Sequence, residues 1–187
     1  MSNDPFEDTQ MPLMAHLLEL RTRLFYTLAV FFLAFGFCYA FSQELFNILV
    51  HPLSQAFHHE EGRRLIYTGM AEAFMTYIRV ALFAAFFVSF PVLASQLWLF
   101  IAPGLYKQEK KAFLPFLIAT PFLFLLGAAF AYFFILPMAW SFFLHFETQA
   151  PTTFLPIQLE ARVSEYLSLT MQMLFAFGFF FQLSVIL

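Results

Sequence analysis

Residues 24–41 read LFYTLAVFFLAFGFCYAF, eighteen consecutive residues without a charged side chain. A helix needs about 20 mostly apolar residues to cross the hydrocarbon core of a bilayer. A cleaved signal peptide usually has a shorter apolar region followed by a small-residue cleavage site, and no clean Ala-x-Ala site follows here. We therefore interpret residues 24–41 as a retained first transmembrane helix. The motif HLLELR at residues 16–21 precedes it and places a carboxylate and an arginine at the N-terminal end of the span.

Three further segments are long and apolar enough to cross a membrane: residues 71–101, 112–140 and 163–187. No Asp, Glu, Lys or Arg occurs from residue 112 to residue 146, a run too long for one straight span. Proline bends or ends a helix. We therefore expect a bend in the second span at Pro91 and in the third at Pro115 or Pro121. We also expect a break near Pro137, with the Trp140 region at the membrane interface.

The composition limits the class of protein. Hydrophobic residues make up 61% of the chain and charged residues only 11%, whereas soluble domains carry about a quarter charged residues. A soluble core could not bury 31 phenylalanines, so much of the surface must face lipid. The sequence thus predicts an all-α, polytopic transmembrane helix bundle with four spans, forming one membrane domain over residues 1–187.

Several kinds of site are disfavoured. The net charge of −3 gives no reason to expect nucleic-acid binding. Cys38 is the single cysteine, so the chain can form no internal disulfide and no cysteine-based metal cluster. The adjacent residues His58, His59, Glu60 and Glu61 have a spacing that cannot direct both imidazoles to one face. We therefore expect neither a metal nor a cofactor.

The distribution of Lys and Arg predicts the orientation. The tail 1–23 and the loop 102–111 together carry five such residues, whereas the segments 42–70 and 147–162 carry three. Cytoplasmic loops are enriched in Lys and Arg, so the tail and the loop 102–111 are expected in the cytoplasm and the other two segments in the periplasm. The apolar run continues to the last residue without a polar flank, which favours a truncated chain.

Five motifs along the chain together resemble one family. HLLELR resembles TatC, the multispanning receptor subunit of the bacterial twin-arginine translocase, and so do the other four, in the family's order. They are residues 96–111 (QLWLFIAPGLYKQEKK), 128–133 (AAFAYF) followed by Pro137, 164–168 (SEYLS) and 175–178 (FAFG).

The resemblance implies a fold and a function. TatC proteins have six transmembrane helices and a concave interior, of which this chain would carry the first four. The family's substrate is a folded protein whose signal peptide carries two adjacent arginines. The implied partners are the single-span subunits TatA and TatB, other TatC copies and membrane lipid. The implied location is the bacterial inner membrane, and the implied energy source is the proton gradient.

The family's motifs assign signal recognition to Glu19 and Glu109. Two carboxylates suit this task, because a carboxylate accepts the fork of N–H groups on a guanidinium and lysine cannot reproduce that geometry. For Glu19 two other readings stay open, a helix-start acid and a partner for Arg23. Glu109 could also be a solvated loop charge. Further residues expected at this site are Arg21, Phe100, Pro103 and Tyr106.

A second group of residues is expected to make structural or partner contacts. Glu72 and Arg79 are seven residues apart and share a helix face, so Arg79 either reaches Glu72 or extends to the lipid headgroups. Gln182 stands in an apolar helix where relatives often carry an acid. Its amide must face another helix, of this chain or of TatA, and it cannot titrate. Pro52 and Phe74 complete the group.

The sequence gives less support to two other functions. A small-molecule secondary transporter usually shows two related halves with Gly- or Pro-broken helices at corresponding positions, and no such halves are visible. A membrane enzyme would need a motif such as His-Glu-x-x-His or Gly-x-Ser-x-Gly, and none occurs. A protein-export receptor without bond chemistry is the interpretation that the motifs favour.

Overall fold

A computed structural model describes residues 13–57, 64–101, 110–147 and 159–186. The described chain is almost entirely helical. It forms α1 (Leu13–Ala40), α2 (Ser42–Ala56), α3 (Glu72–Ile101), α4 (Lys110–Phe130), a π-helical segment (Ala131–Ile135), α5 (Leu136–Leu144) and α6 (Val163–Ile186). The one β-bridge among these residues pairs Ile66 with Arg162. The expectation of an all-α bundle is confirmed.

Four helical stretches are long and apolar enough to cross a membrane: Leu17–Ala40, Glu72–Phe100, Leu117–Leu144 and Val163–Ser184. This agrees with the four expected spans. The first helix begins at Leu13, so the described part of HLLELR is helical and continues directly into the span. The third stretch runs to Leu144, beyond the expected end at residue 140.

The helix does not break near Pro137 as expected: a π-helical segment precedes α5, and the helical stretch continues to Leu144. Pro137 is the second residue of α5, and the π turn comes immediately before it. The Leu136 N–H donates to the carbonyl of Ala131, five residues back. A proline ring clashes with the carbonyl four residues before it, and a widened turn changes that geometry without ending the helix. Trp140 beyond it is buried in the core, only 6% exposed.

The short helix α2 lies within the expected periplasmic segment and packs back onto the bundle. Its buried residues are Leu49, Pro52 and Leu53. Of these, Leu49 and Leu53 belong to the same hydrophobic core cluster as Trp140 and Tyr166. Proline has no N–H, so Pro52 leaves the Ile48 carbonyl without its helical donor. The Tyr132 hydroxyl donates to that carbonyl at 2.7 Å. A side chain of the π-helical segment thus supplies the donor that the Ile48 carbonyl lacks within α2.

The two halves of the bundle pack differently. α1 lies along α3 and leaves most of its apolar residues exposed. In contrast, α4 and α6 approach closely through two glycines. A Cβ on Gly127 would come within 2.5 Å of the Phe177 carbonyl oxygen, and one on Gly178 within 2.7 Å of the Phe124 ring. Small residues at such crossings are typical of membrane helices. In lipid the hydrophobic effect does not drive helices together, so their association depends on close van der Waals packing.

Candidate functional site

A polar site lies near the N-terminal end of α1, where Glu19 and Arg23 are one turn apart. The Arg23 Nε donates to Glu19 Oε1 at 3.0 Å, and Nη2 contacts the same oxygen. The two side chains are only about a quarter exposed, 24% for Glu19 and 23% for Arg23. Ion pairs removed from bulk water attract more strongly than exposed ones. The pairing of Glu19 with Arg23, one of the readings left open by the sequence, is observed.

The guanidinium of Arg23 also reaches across to the neighbouring helix. Its Nη1 donates to Oε1 of Gln96 on α3 at 3.3 Å. Helical spacing puts residues 19 and 23 on one face of α1, and the packing of α1 along α3 brings that face to Gln96. The site therefore joins the start of the first span to the C-terminal part of the second. Phe100 follows one turn after Gln96 on the same helix.

Arg21 lies apart from the Glu19 carboxylate. It is exposed, and its guanidinium carbon lies 5.7 Å from the centroid of the Phe25 ring. A cation at this distance over an aromatic face is favourably placed. Glu109, Pro103 and Tyr106 lie outside the described residues, so the site is described around Glu19 alone.

A second polar site lies at the opposite end of the bundle, around Glu72 on α3. Arg162 donates through Nε to Glu72 Oε1 at 3.1 Å and through Nη2 to Oε2 at 3.3 Å. The backbone N–H groups of Thr68, Gly69 and Ser164 donate to the same carboxylate. The Glu72 side chain is 8% exposed. The hydrogen bond from Arg162 to Glu72 raises the pKa of Arg162 further above its usual value.

The partner of Glu72 is therefore Arg162 and not Arg79. Arg79 is exposed and lies beside Ser164 and Ser168 of α6. Phe74 is 55% exposed, whereas Pro52 is buried in α2.

Gln182 finds its partner within this chain. Its Nε2 donates to the backbone carbonyl of Thr120 on α4 at 2.6 Å. The Trp98 indole N–H of α3 donates to the Thr120 hydroxyl at 3.1 Å. Thr120 thus connects three spans, and of the two alternatives for Gln182 the structure realises the one within this chain.

The sequence did not predict three polar groups that make these contacts: Arg162, Gln96 and the Tyr132 hydroxyl. Two of them had a local signal, because Gln96 and Tyr132 occur within the family motifs. Arg162 had none. Among the described residues, no group of three or more His, Cys, Asp or Glu is arranged to hold a metal ion. Residues 58–61 lie outside that description.

Comparison with known proteins gives a consistent result. A family model described as Sec-independent protein translocase protein (TatC) matches residues 15–187. The TatC protein of Magnetococcus marinus is 42% identical over 178 residues, which cover 95% of this chain and 63% of that protein. The TatC protein of Rickettsia prowazekii is 42% identical over 172 residues, with 92% and 67% covered.

The fold is similar to a solved structure as well. A crystal structure described as the twin-arginine translocase receptor TatC matches with a TM-score of 0.76 at 34% identity. The match covers 91% of this chain and 72% of that one. This chain spans about 63% of the length of the Magnetococcus marinus TatC protein.

Proposed function

The chain belongs to the TatC family of Sec-independent protein translocase proteins, and from this premise we propose that it is the core receptor of a twin-arginine translocation system. It binds signal peptides with two adjacent arginines at its cytoplasmic face and performs no bond chemistry. Its N-terminus faces the cytoplasm of a bacterial inner membrane. The description of the solved relative as a twin-arginine translocase receptor supports this role.

One observation carries the proposal. The Glu19 carboxylate already accepts two N–H groups of a guanidinium, at the mouth of the first span and largely shielded from water. A signal arginine needs the same contact. A guanidinium is planar and permanently charged, whereas an ammonium is a compact point charge, so the site should favour arginine over lysine. In the proposal, Glu109 provides the second carboxylate.

The remaining parts of the proposal rest on the family resemblance. Arg21, Phe100, Pro103 and Tyr106 shape the binding surface around the two carboxylates. The receptor assembles with TatA, TatB and other TatC copies, and the proton gradient drives export of the folded cargo.

The test is a binding measurement in lipid nanodiscs. A labelled Arg-Arg signal peptide and its Lys-Lys version are titrated against the chain. We expect selective binding of the Arg-Arg peptide. Because Glu19→Gln removes a charge-assisted pair, it should weaken that binding by roughly ten- to a hundredfold.

A matched control is Glu44→Gln, which neutralises an exposed acid in the first turn of α2. This variant should bind the signal peptide normally. Equal affinity for the two peptides would contradict the receptor proposal. If Glu19→Gln still bound the Arg-Arg peptide selectively and with normal affinity, the receptor proposal would stand but the role of Glu19 would be refuted.

A further inference from the structure

The Glu19 carboxylate, which is proposed to bind an arginine of the signal peptide, is already paired with Arg23 of the same helix. We infer, on the basis of the proposed function, that Arg23 is an internal competitor for the signal's arginine. It sets the threshold of affinity that a signal peptide must exceed. A signal arginine binds Glu19 fully only when the guanidinium of Arg23 has been displaced.

An incoming guanidinium can make its first hydrogen bond to the second oxygen of the Glu19 carboxylate. The contacts from Arg23 converge on Glu19 Oε1. Among the described residues, none donates a hydrogen bond to Glu19 Oε2. A carboxylate offers about four lone-pair positions, so a second guanidinium can bind Oε2 before the first one leaves. Both side chains remain partly exposed, so the pair is not sealed from an incoming ligand.

Gln96 offers the guanidinium of Arg23 a hydrogen-bond acceptor after it has been displaced from Glu19. Its Oε1 lies 3.3 Å from Arg23 Nη1, whereas Glu19 is contacted through Nε and Nη2. Arg23 can therefore keep one hydrogen bond to α3 while it releases the carboxylate. A displaced cation without any partner in a poorly solvated position would be costly. Gln96 lowers that cost and makes the exchange feasible.

A competitor of this kind has a defined thermodynamic signature. Displacing Arg23 costs the same free energy for every ligand that needs Glu19. Removing the competitor should therefore raise the affinity for Arg-Arg and Lys-Lys peptides by the same factor, with their ratio unchanged. From the strength of a partly shielded i,i+4 pair we expect roughly a three- to tenfold gain. If Arg23 had only a structural role, its removal should instead lower the affinity for both peptides.

The experiment measures both peptides against the full chain in nanodiscs, for wild type, Arg23→Gln and Arg23→Lys. Arg23→Gln should bind the Arg-Arg peptide more tightly by that factor. Arg23→Lys retains the positive charge but loses the guanidinium fork, so its gain should be intermediate. It also preserves a cation between α1 and α3 if the glutamine variant proves unstable. In a Glu19→Gln background, Arg23→Gln should change the affinity little.

The outcomes separate the two proposals. Weaker or unchanged Arg-Arg binding by Arg23→Gln, with Glu19 still required, would overturn the competitor and leave the receptor standing. Equal affinities of Arg23→Lys and wild type, beside a gain in Arg23→Gln, would also overturn it, because charge repulsion alone explains that pattern. Absence of Arg-Arg selectivity in wild type would overturn the receptor proposal itself.

Discussion

Glu72 is a single carboxylate that connects the first turns of two helices. It is the first residue of α3, and it accepts hydrogen bonds from Arg162 and from the N–H of Ser164 at the start of α6. Glu72→Gln would remove the charge and turn an NH2 group toward these donors. We expect a lower midpoint of thermal unfolding in nanodiscs, because at least one of these donors loses its acceptor.

The control for Glu72 is Glu165→Gln. Glu165 lies 3.7 Å from the same Arg162, but its side chain is 75% exposed. Exposed pairs contribute little, so this variant should melt close to wild type. Equal shifts of the two variants would show that the contacts around Glu72 are dispensable.

The partner of Glu72 illustrates what spacing cannot show. Arg79 is a reasonable candidate from sequence, because residues seven apart lie on one helix face. The actual partner, Arg162, is 90 residues away and is brought near by the bridge that pairs it with Ile66. Local periodicity contains no information about that pairing. The contact of Glu19 with Arg23 is the opposite case, since its i,i+4 spacing is written in the sequence.

At the level of elements, a proline in one helix is compensated by a tyrosine in another. Pro52 deprives the Ile48 carbonyl of a backbone donor, and the Tyr132 hydroxyl replaces it. An unsatisfied carbonyl is costly where water is scarce. We expect Tyr132→Phe to reduce the free energy of unfolding by about 1–3 kcal/mol, measured by thermal or denaturant unfolding in a fixed lipid or detergent.

A double-mutant cycle isolates this compensation. Pro52→Ala restores an N–H that can donate to the Ile48 carbonyl within α2. Tyr132→Phe should therefore cost less in the Pro52→Ala background than in wild type, although Pro52→Ala itself leaves a small cavity. Equal costs in the two backgrounds would mean that the hydroxyl and the missing N–H are unrelated.

For the whole molecule, the number and class of the spans follow from sequence more readily than their arrangement. A chain in lipid must satisfy its backbone groups within each segment, so apolar runs of sufficient length become helices. The expected all-α bundle is confirmed for this reason. The TatC resemblance is confirmed separately, by the family model and by the similar crystal structure. Which faces meet is harder to predict, because lipid-facing and helix-facing residues are equally apolar. The sequence predicted that the amide of Gln182 faces another helix, but it could not identify the Thr120 carbonyl as the partner.

The two glycines that differ most in their surroundings test how this bundle is assembled. Gly127 lies against the backbone of α6, where an added Cβ would meet the Phe177 carbonyl oxygen, while Gly36 on α1 has nothing within 4 Å of such a Cβ. Gly127→Ala should push α4 and α6 apart and cost about 1–3 kcal/mol of unfolding free energy. Gly36→Ala should be neutral or slightly stabilising, because alanine favours a helix. Thermal unfolding of both variants in nanodiscs gives the comparison, and equal stability would refute close packing of α4 on α6 as the contact that holds this half of the bundle together.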